Sequence, residues 1–244
     1  MPKFFVSLSG ITGDSIILSG EDAAHIAKTL RMRKGDALTV CDGEGTDYAC
    51  TLLSVSPDIV EAKIESGAPC PGEPALSLTL CMALPKSDKL ELVVQKAVEL
   101  GASRVCVFRS GFCVPDPDPR AFAKRLTRLQ KIAREAAGQS LRGRIPEIEG
   151  LFSFQEMLKR TGDCDMPLFF YESGGIPLKT ILDAGAYRSA ALVIGPEGGF
   201  SEKEAQTAAE AGFHTAHLGA RILRCETAAI SAVTAVMFHA GELS

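Results

Sequence analysis

Short apolar runs separated by turn residues dominate the first 66 residues of the chain. Strands are predicted at residues 4–8, 15–18, 37–41, 48–55 and 59–64. A helix is predicted over residues 21–32, where acidic residues begin the segment and basic residues end it. Five short strands with one helix predict a small barrel or a rolled sheet.

From Leu76 onwards, strand-like apolar runs alternate with helical segments. Strands are predicted over residues 76–84, 104–108, 166–171, 190–194 and 215–218, and helices over 89–100, 120–139, 178–184 and 226–240. This alternation predicts a mostly parallel sheet with helices on both faces. Glycine and proline are concentrated over residues 67–74, which marks a linker. We therefore predict two domains, residues 1–70 and residues 75–244.

Three capping signatures predict where helices begin. Each consists of a serine or aspartate followed three residues later by glutamate, and the pairs are Asp88 with Glu91, Ser153 with Glu156, and Ser201 with Glu204. Gly212 is placed to end the helix that follows Ser201, because glycine tolerates the left-handed conformation of a helix C-terminus.

Composition places the chain among ordinary globular proteins. Of its 244 residues, 46% are hydrophobic and 23% are charged. No apolar run approaches the roughly 18–20 residues of a membrane span. The first residues also lack the apolar core of a signal peptide. We therefore predict a cytoplasmic protein without a membrane partner.

The eight cysteines form no metal-binding pattern. None are paired as CxxC, and no histidine completes a zinc spacing. Reduced, buried thiols and no metal are therefore predicted. Cys225 lies beside a glycine-containing loop, so it could act either as a nucleophile or as a further buried thiol.

The charge of the chain is unevenly distributed. The net charge of −4 argues weakly against nucleic acid as a partner. Residues 120–144, however, contain eight lysines and arginines against the single acidic residue Glu135. This local excess of positive charge would suit a phosphate backbone.

Two glycine-containing loops follow two of the predicted strands. The first loop covers Gly195, Pro196, Glu197, Gly198 and Gly199, and the second begins at Gly219. Ligands of open parallel sheets bind at the carboxyl ends of strands, where such loops cluster. The glycines allow the backbone to approach an adenine or a ribose, although tight turns also require glycine. Neither a dinucleotide fingerprint nor a phosphate-binding loop is present.

The two loops together resemble a known family. Residues 194–201 (IGPEGGFS) and 218–228 (LGARILRCETA) are similar to the SPOUT methyltransferases, and within them to the ribosomal RNA small subunit methyltransferase E family. The resemblance extends along nearly the whole chain, through residues 3–6, 25–36, 83–86, 95–101 and 132–148. The chain departs from the usual family residues at Lys3, Val98, Gly138, Leu141 and Cys225.

The resemblance implies a fold and an activity. It implies an α/β fold in which the C-terminal domain is a trefoil knot and the N-terminal domain is a PUA-like β-barrel. It also implies a homodimer formed through the knot domain, with S-adenosylmethionine as the methyl donor. The expected reaction is methylation of N3 of one specific uridine in 16S ribosomal RNA, either free or in the assembled small subunit.

The resemblance also assigns residues to the site. The residues expected to bind the cofactor are Ile194, Gly195, Pro196, Gly198, Gly199, Leu218, Gly219, Ile222, Leu223, Arg224, Thr227 and Ala228. Arg224 is the expected catalytic cation beside the uracil, unless a salt bridge to Glu226 occupies it. Glu226 is the candidate base, although an acid at a helix start commonly serves the helix dipole. Glu197 either faces the sulfonium of the cofactor or caps a turn.

Basic and polar residues in both domains are candidates for RNA binding, and the alternative for each is a solvated surface. The candidates are Lys3, Arg31, Arg33, Lys34, Lys86, Gln95, Lys131, Arg134, Gln139 and Arg142. Two other functions stay open, an RNA-binding adaptor that lost turnover and a methyltransferase acting on transfer RNA.

Overall fold

The computed structural model describes residues 3–243 and divides the chain into two compact units. The first unit contains the chain up to Glu73 together with the segment Ala137–Ile145. The second unit contains Pro74–Ala136 and the chain from Pro146 onwards. The sequence pattern did not predict that the segment Ala137–Ile145 belongs to the first unit.

The first unit is built on a six-stranded sheet. Its strands are β1 (Lys3–Phe5), β2 (Ile11–Thr12), β3 (Ser15–Ser19), β4 (Ala37–Cys41), β5 (Thr46–Val55) and β6 (Ile59–Pro69). Their order is β1-β4-β5-β6-β3-β2, with β1 parallel to β4 and every other pair antiparallel. Alternate residues of β3, β4 and β6, such as Ile16, Val40 and Val60, are buried in one hydrophobic core.

Three predicted boundaries in the first unit need correction. The strand predicted over residues 4–8 ends at Phe5, and a 3-10 turn occupies Leu8–Gly10. The predicted helix divides into α1 (Glu21–Ala24) and a π-helical turn over His25–Thr29. The predicted linker begins inside β6, where Gly67 lies against the ring of Tyr48. An added Cβ there would lie 3.2 Å from that ring, so this glycine allows close packing.

The second unit contains a seven-stranded sheet in which every neighbouring pair is parallel. Its strands are β7 (Ser77–Ala83), β8 (Arg104–Arg109), β9 (Glu147–Ser153), β10 (Met166–Phe170), β11 (Ile176–Pro177), β12 (Ser189–Ile194) and β13 (His214–His217). They are ordered β11-β13-β10-β12-β7-β8-β9. The predicted parallel sheet is therefore confirmed.

In the described part of the second unit, five helices lie between successive strands and a sixth follows β13. They are α2 (Lys89–Glu99), α3 (Pro119–Gln139), α4 (Phe154–Thr161), α5 (Leu178–Leu182), α6 (Glu202–Glu210) and α7 (Cys225–His239). Among residues 3–243, no helix combines the length and the apolar character needed to cross a membrane. The same residues contain no cluster of three or more potential metal ligands.

Two of the three predicted capping boxes are present. The hydroxyl of Ser153 caps α4 with Glu156, and that of Ser201 caps α6 with Glu204. The prediction at Asp88 was wrong, because its side chain makes no capping hydrogen bond at the start of α2. Its expected partner Glu91 instead accepts hydrogen bonds from Arg125 at 2.8 and 3.3 Å.

Two basic residues predicted to bind RNA are buried inside the first unit. Lys3, which is 7% exposed, donates to a carboxylate oxygen of Asp47 at 2.7 Å, to the Cys70 sulfur at 3.0 Å and to the Leu141 carbonyl at 2.8 Å. Arg142, 2% exposed, donates through Nε and Nη2 to the carboxylate of Glu73. We correct both assignments, because these side chains are engaged within the protein interior and do not face a ligand.

Candidate active site

A cavity of about 660 Å³ lies at the carboxyl ends of β10, β12 and β13 in the second unit. Most of its wall consists of two loops, residues 195–200 after β12 and residues 218–224 after β13. The ends of β10, β12 and β13, Lys89 at the start of α2 and the first turn of α7 also contribute to the wall. Its volume falls within the range of small-molecule sites, and its position is the one expected for a ligand of a parallel sheet.

The structure brings together most of the residues predicted for the cofactor. The predicted residues that line the cavity are Ile194, Gly195, Pro196, Gly198, Gly199, Leu218, Gly219, Ile222, Leu223, Arg224 and Ala228. Thr227 is the exception, since it is exposed on the first turn of α7 and lies outside the cavity wall, and its contact with the cofactor stays a prediction. Successive helical residues project about 100° apart, so the turn that presents Ala228 directs Thr227 elsewhere.

Several lining residues were missed by the sequence analysis, and they include Lys89, Phe170, Tyr171, Glu172, Ala216, His217, Ala220 and Arg221. The rule that ligands bind at the carboxyl ends of strands could have found residues 170–172, which end a predicted strand. Lys89 lies in a different part of the sequence, and no local pattern connects it with the loops.

The first loop depends on glycine for close packing. Gly199 has φ +66°, and a side chain there would collide with the carboxylate of Glu172. A Cβ on Gly198 would lie 3.0 Å from the Cβ of Phe112. The turn therefore requires glycine at position 199 because of its positive φ, and glycine at position 198 allows the close approach of Phe112.

The second loop begins with a turn held by an imidazole. Gly219 has φ +104°, a conformation that favours glycine. Its backbone N–H donates to Nδ1 of His217 at 3.1 Å. Since Nδ1 accepts this bond, the neutral His217 carries its proton on Nε2.

A lysine bridges two carboxylates at the edge of the cavity. The Nζ atom of Lys89 lies 2.9 Å from Oε1 of Glu197 and 3.3 Å from Oε2 of Glu226. Glu197 also accepts a hydrogen bond from the backbone N–H of Lys86 at 3.1 Å. Glu197 therefore caps the turn after β7, which was one of its two predicted roles.

This bridge keeps its three groups charged. The hydrogen bond to Glu197 raises the pKa of Lys89. Burial would raise the pKa of Glu197 and of Glu226, but hydrogen bonds, among them those from Lys89, outweigh it and hold both below their usual values. A carboxylate with a lowered pKa is a weak base near neutral pH.

Cys225 has the properties of an unreactive thiol. Burial, the hydrogen bond to Glu226 and the charge of Glu197 raise the pKa of Cys225 to about 12. Its sulfur donates to Oε2 of Glu226 at 3.3 Å. Since the thiolate is the nucleophilic form, this environment favours the alternative of a buried thiol.

Arg224 lines the cavity with an exposed side chain immediately before α7. The sequence left open a salt bridge between Arg224 and Glu226. Within residues 3–243 the cation paired with Glu226 is Lys89, and no ion pair joins Glu226 to Arg224. The guanidinium is therefore available to a ligand.

The remaining RNA candidates are distributed over both units. In the first unit, Arg31, Arg33, Lys34 and Gln139 are exposed. In the second unit, the exposed candidates are Lys86, Gln95 and Lys131, while Arg134 is partly buried. Their contact with RNA stays a prediction.

Comparison with known families identifies the class of protein. The model of the RNA methyltransferase domain matches residues 72–237, and that of the RNA methyltransferase PUA domain matches residues 18–65. The chain is thus composed of an RNA methyltransferase domain preceded by a PUA domain.

Individual relatives narrow this class to one family. Ribosomal RNA small subunit methyltransferase E of Bacillus subtilis (strain 168) is 33% identical, with 98% of this chain and 97% of the relative covered. The protein of that name from Mycobacterium bovis is 30% identical, with 96% and 90% covered. A crystal structure of a Neisseria gonorrhoeae ribosomal RNA small subunit methyltransferase E bound to S-adenosyl methionine is similar with a TM-score of 0.88. It is 30% identical and covers 98% of this chain, with 97% of its own length matched. This chain belongs to the ribosomal RNA small subunit methyltransferase E family.

Proposed function

We propose that this chain transfers a methyl group from S-adenosylmethionine to N3 of one uridine in the 16S ribosomal RNA of the small subunit. The observation that carries the proposal is that the two glycine-containing loops line one and the same cavity. Full-length similarity to small subunit methyltransferases E supports the substrate class.

The residues around the cavity fit this methyl donor. The two loops would offer backbone N–H and C=O groups to its adenosine, and Ile222, 88% exposed, would offer apolar surface to the adenine. Glu172 and Glu197 line the same cavity and would favour a ligand that carries positive charge. The bound donor supplies an electrophilic methyl group.

Methylation of N3 requires that uracil lose its N3 proton. The pKa of that proton lies about two to three units above neutrality, so ionisation costs about 3–4 kcal/mol. A cation beside O2 or O4 stabilises the resulting anion. We propose Arg224 for this role, because its guanidinium lines the cavity without an ion pair to Glu226. The lowered pKa of Glu226 weakens it as the candidate base.

Three further properties belong to this proposal. The second unit forms a trefoil knot, which is consistent with β13 pairing with β10 after the chain has passed through β12. Two copies associate through the second unit, where Phe238 of α7 is 65% exposed.

The enzyme acts in the cytoplasm, on free RNA or on the assembled subunit. The residues that contact that RNA are Arg31, Arg33, Lys34, Lys86, Gln95, Lys131, Arg134 and Gln139.

The proposed function is tested by following the modified nucleoside. Purified chain, labelled S-adenosylmethionine and either small subunits or naked 16S ribosomal RNA are combined, and the RNA is digested for mass spectrometry. We expect label in N3-methyluridine. The RNA should come from cells lacking this protein, so that the target position is unmodified. Binding of the donor without any transfer to RNA would favour the adaptor function instead.

The hydrogen bond from the backbone N–H of Gly219 to Nδ1 of His217 provides a second test. We expect His217→Leu to weaken binding of S-adenosylmethionine about fivefold, the usual net value of one hydrogen bond. His217→Asn should retain most of the affinity, because an asparagine oxygen can replace Nδ1 as the acceptor for Gly219. Titration calorimetry measures both variants. Equal affinities of the two variants would contradict a role for this hydrogen bond.

A further inference from the structure

The bridge formed by Lys89 joins three segments that are distant in sequence. Lys89 begins α2, Glu197 lies within the loop after β12, and Glu226 lies on the first turn of α7. The side chains are 25%, 28% and 15% exposed, respectively, so water reaches the bridge only in part. Glu197 belongs to the first loop of the cavity wall, and Glu226 belongs to the helix that follows the second loop.

We propose that Lys89 is a positioning residue for the methyl donor, holding the two glycine-containing loops at the separation that the donor requires. This inference rests on the proposed function, since it assumes that S-adenosylmethionine binds between these loops. Lys89 acts through Glu197 and Glu226 and takes no part in the chemical step.

The loops themselves provide little to fix their separation. The first contains three residues with unusual backbone freedom, Gly195, Gly198 and Gly199, and the second contains one, Gly219, at its start. Within each loop the turns are stabilised locally, as in the bond between Gly219 and His217. The ammonium of Lys89 instead connects the first loop with the helix that ends the second.

A second contact strengthens the attachment of the first loop to α2. The carboxylate of Glu197 accepts the backbone N–H of Lys86 at 3.1 Å while it pairs with Lys89. Lys86 lies just before α2 and Lys89 is its first residue, and α2 itself is anchored by Leu90, Val93 and Val94, which are fully buried. The first loop is thus connected to a helix with a buried face, which would lower the entropy lost when a ligand binds.

Charge and positioning predict opposite effects when Lys89 is removed. The methyl donor carries a sulfonium and an ammonium against one carboxylate, a net positive charge, so loss of a nearby lysine charge would by itself strengthen binding. Loss of the bridge would weaken binding, because the loops must then be ordered at the expense of binding energy. The direction of the change therefore separates the two effects.

The experiment compares four forms of the full chain by calorimetric titration with S-adenosylmethionine. We expect Lys89→Met to bind at least about tenfold more weakly, as for loss of hydrogen bonds between charged groups. Lys89→Arg should recover most of the affinity, because a guanidinium can also bridge two carboxylates. Lys96→Met is the matched control on the same helix, since Lys96 pairs with Glu99 and lies outside the cavity wall.

Hydrogen exchange without the donor provides an independent measurement. We expect the amides of residues 197–200 and 220–224 to exchange faster in Lys89→Met than in the unmodified chain, while those of β7 and β12 stay protected. Unchanged loop exchange, or equal or tighter binding by Lys89→Met, would overturn the proposal. Failure of the unmodified chain to bind the donor would instead overturn the proposed function, and the exchange measurement would still decide whether Lys89 orders the loops.

Discussion

Replacement of Arg142 by leucine is expected to lower the stability of the first unit by about 3–5 kcal/mol, as for a buried ion pair that loses one partner. The side chains of Arg142 and Glu73 are 3% and 18% exposed. Oε1 of Glu73, which accepts a hydrogen bond from Nε of Arg142, also accepts hydrogen bonds from the backbone N–H groups of Gly143 and Arg144 at 2.9 Å. Removing the guanidinium would leave Glu73 charged and largely dehydrated, so the segment that it organises should open.

Hydrogen exchange of β5 and β6 in the full chain measures this loss within the first unit. Lys63→Met is the matched control, because Lys63 and Glu65 form an exposed pair in which both side chains are about half exposed. Its effect should stay within about 0.5 kcal/mol. Arg142→Lys should recover only part of the stability, since an ammonium cannot form the two-pronged contact of a guanidinium. Protection equal to that of the unmodified chain would contradict a structural role for Arg142.

Arg142 also shows where prediction from sequence ends. The parallel sheet and the capping boxes at Ser153 and Ser201 follow from residues that are neighbours along the chain, and the structure confirms them. The pair formed by Arg142 and Glu73 spans 69 positions, and no local pattern connects its partners. Arg142 differs from the other basic residues of its segment in being buried, and its burial is visible only in the structure.

The candidate site divides in the same way. The glycine-containing loops were found because local turns require glycine, and ligands of parallel sheets bind where such loops lie. The position of Thr227 outside the cavity wall could not be predicted, because the phase of α7 relative to the cavity depends on packing that a motif does not contain. Glu91 was expected to cap α2, but Arg125 of α3 provides a charged partner for it. Lys89 was missed because its partners come from two other segments.

The largest catalytic effect is expected for Arg224→Ala, which should lower the rate of methyl transfer by about 10²–10³-fold, as for removal of one group that stabilises a developing anion. Affinity for S-adenosylmethionine should change much less, because the loop backbone and Ala228 still line the cavity. The measurement is single-turnover transfer to ribosomal RNA at saturating donor. Arg188→Ala is the matched control, since Arg188 is exposed and precedes β12 at the end opposite the cavity.

The pH dependence of Arg224→Ala separates loss of anion stabilisation from a general loss of structure. In the unmodified chain, the guanidinium would lower the pKa of the uracil N3 proton in the complex, so the rate should reach its plateau at a lower pH. Without it, the uracil must ionise near its own pKa, and the rate should keep rising to about two to three units above neutrality. The deficit should therefore shrink as pH rises, whereas a misfolded variant would stay slow throughout. A pH-independent deficit would show that Arg224 does not act on the ionisation of uracil.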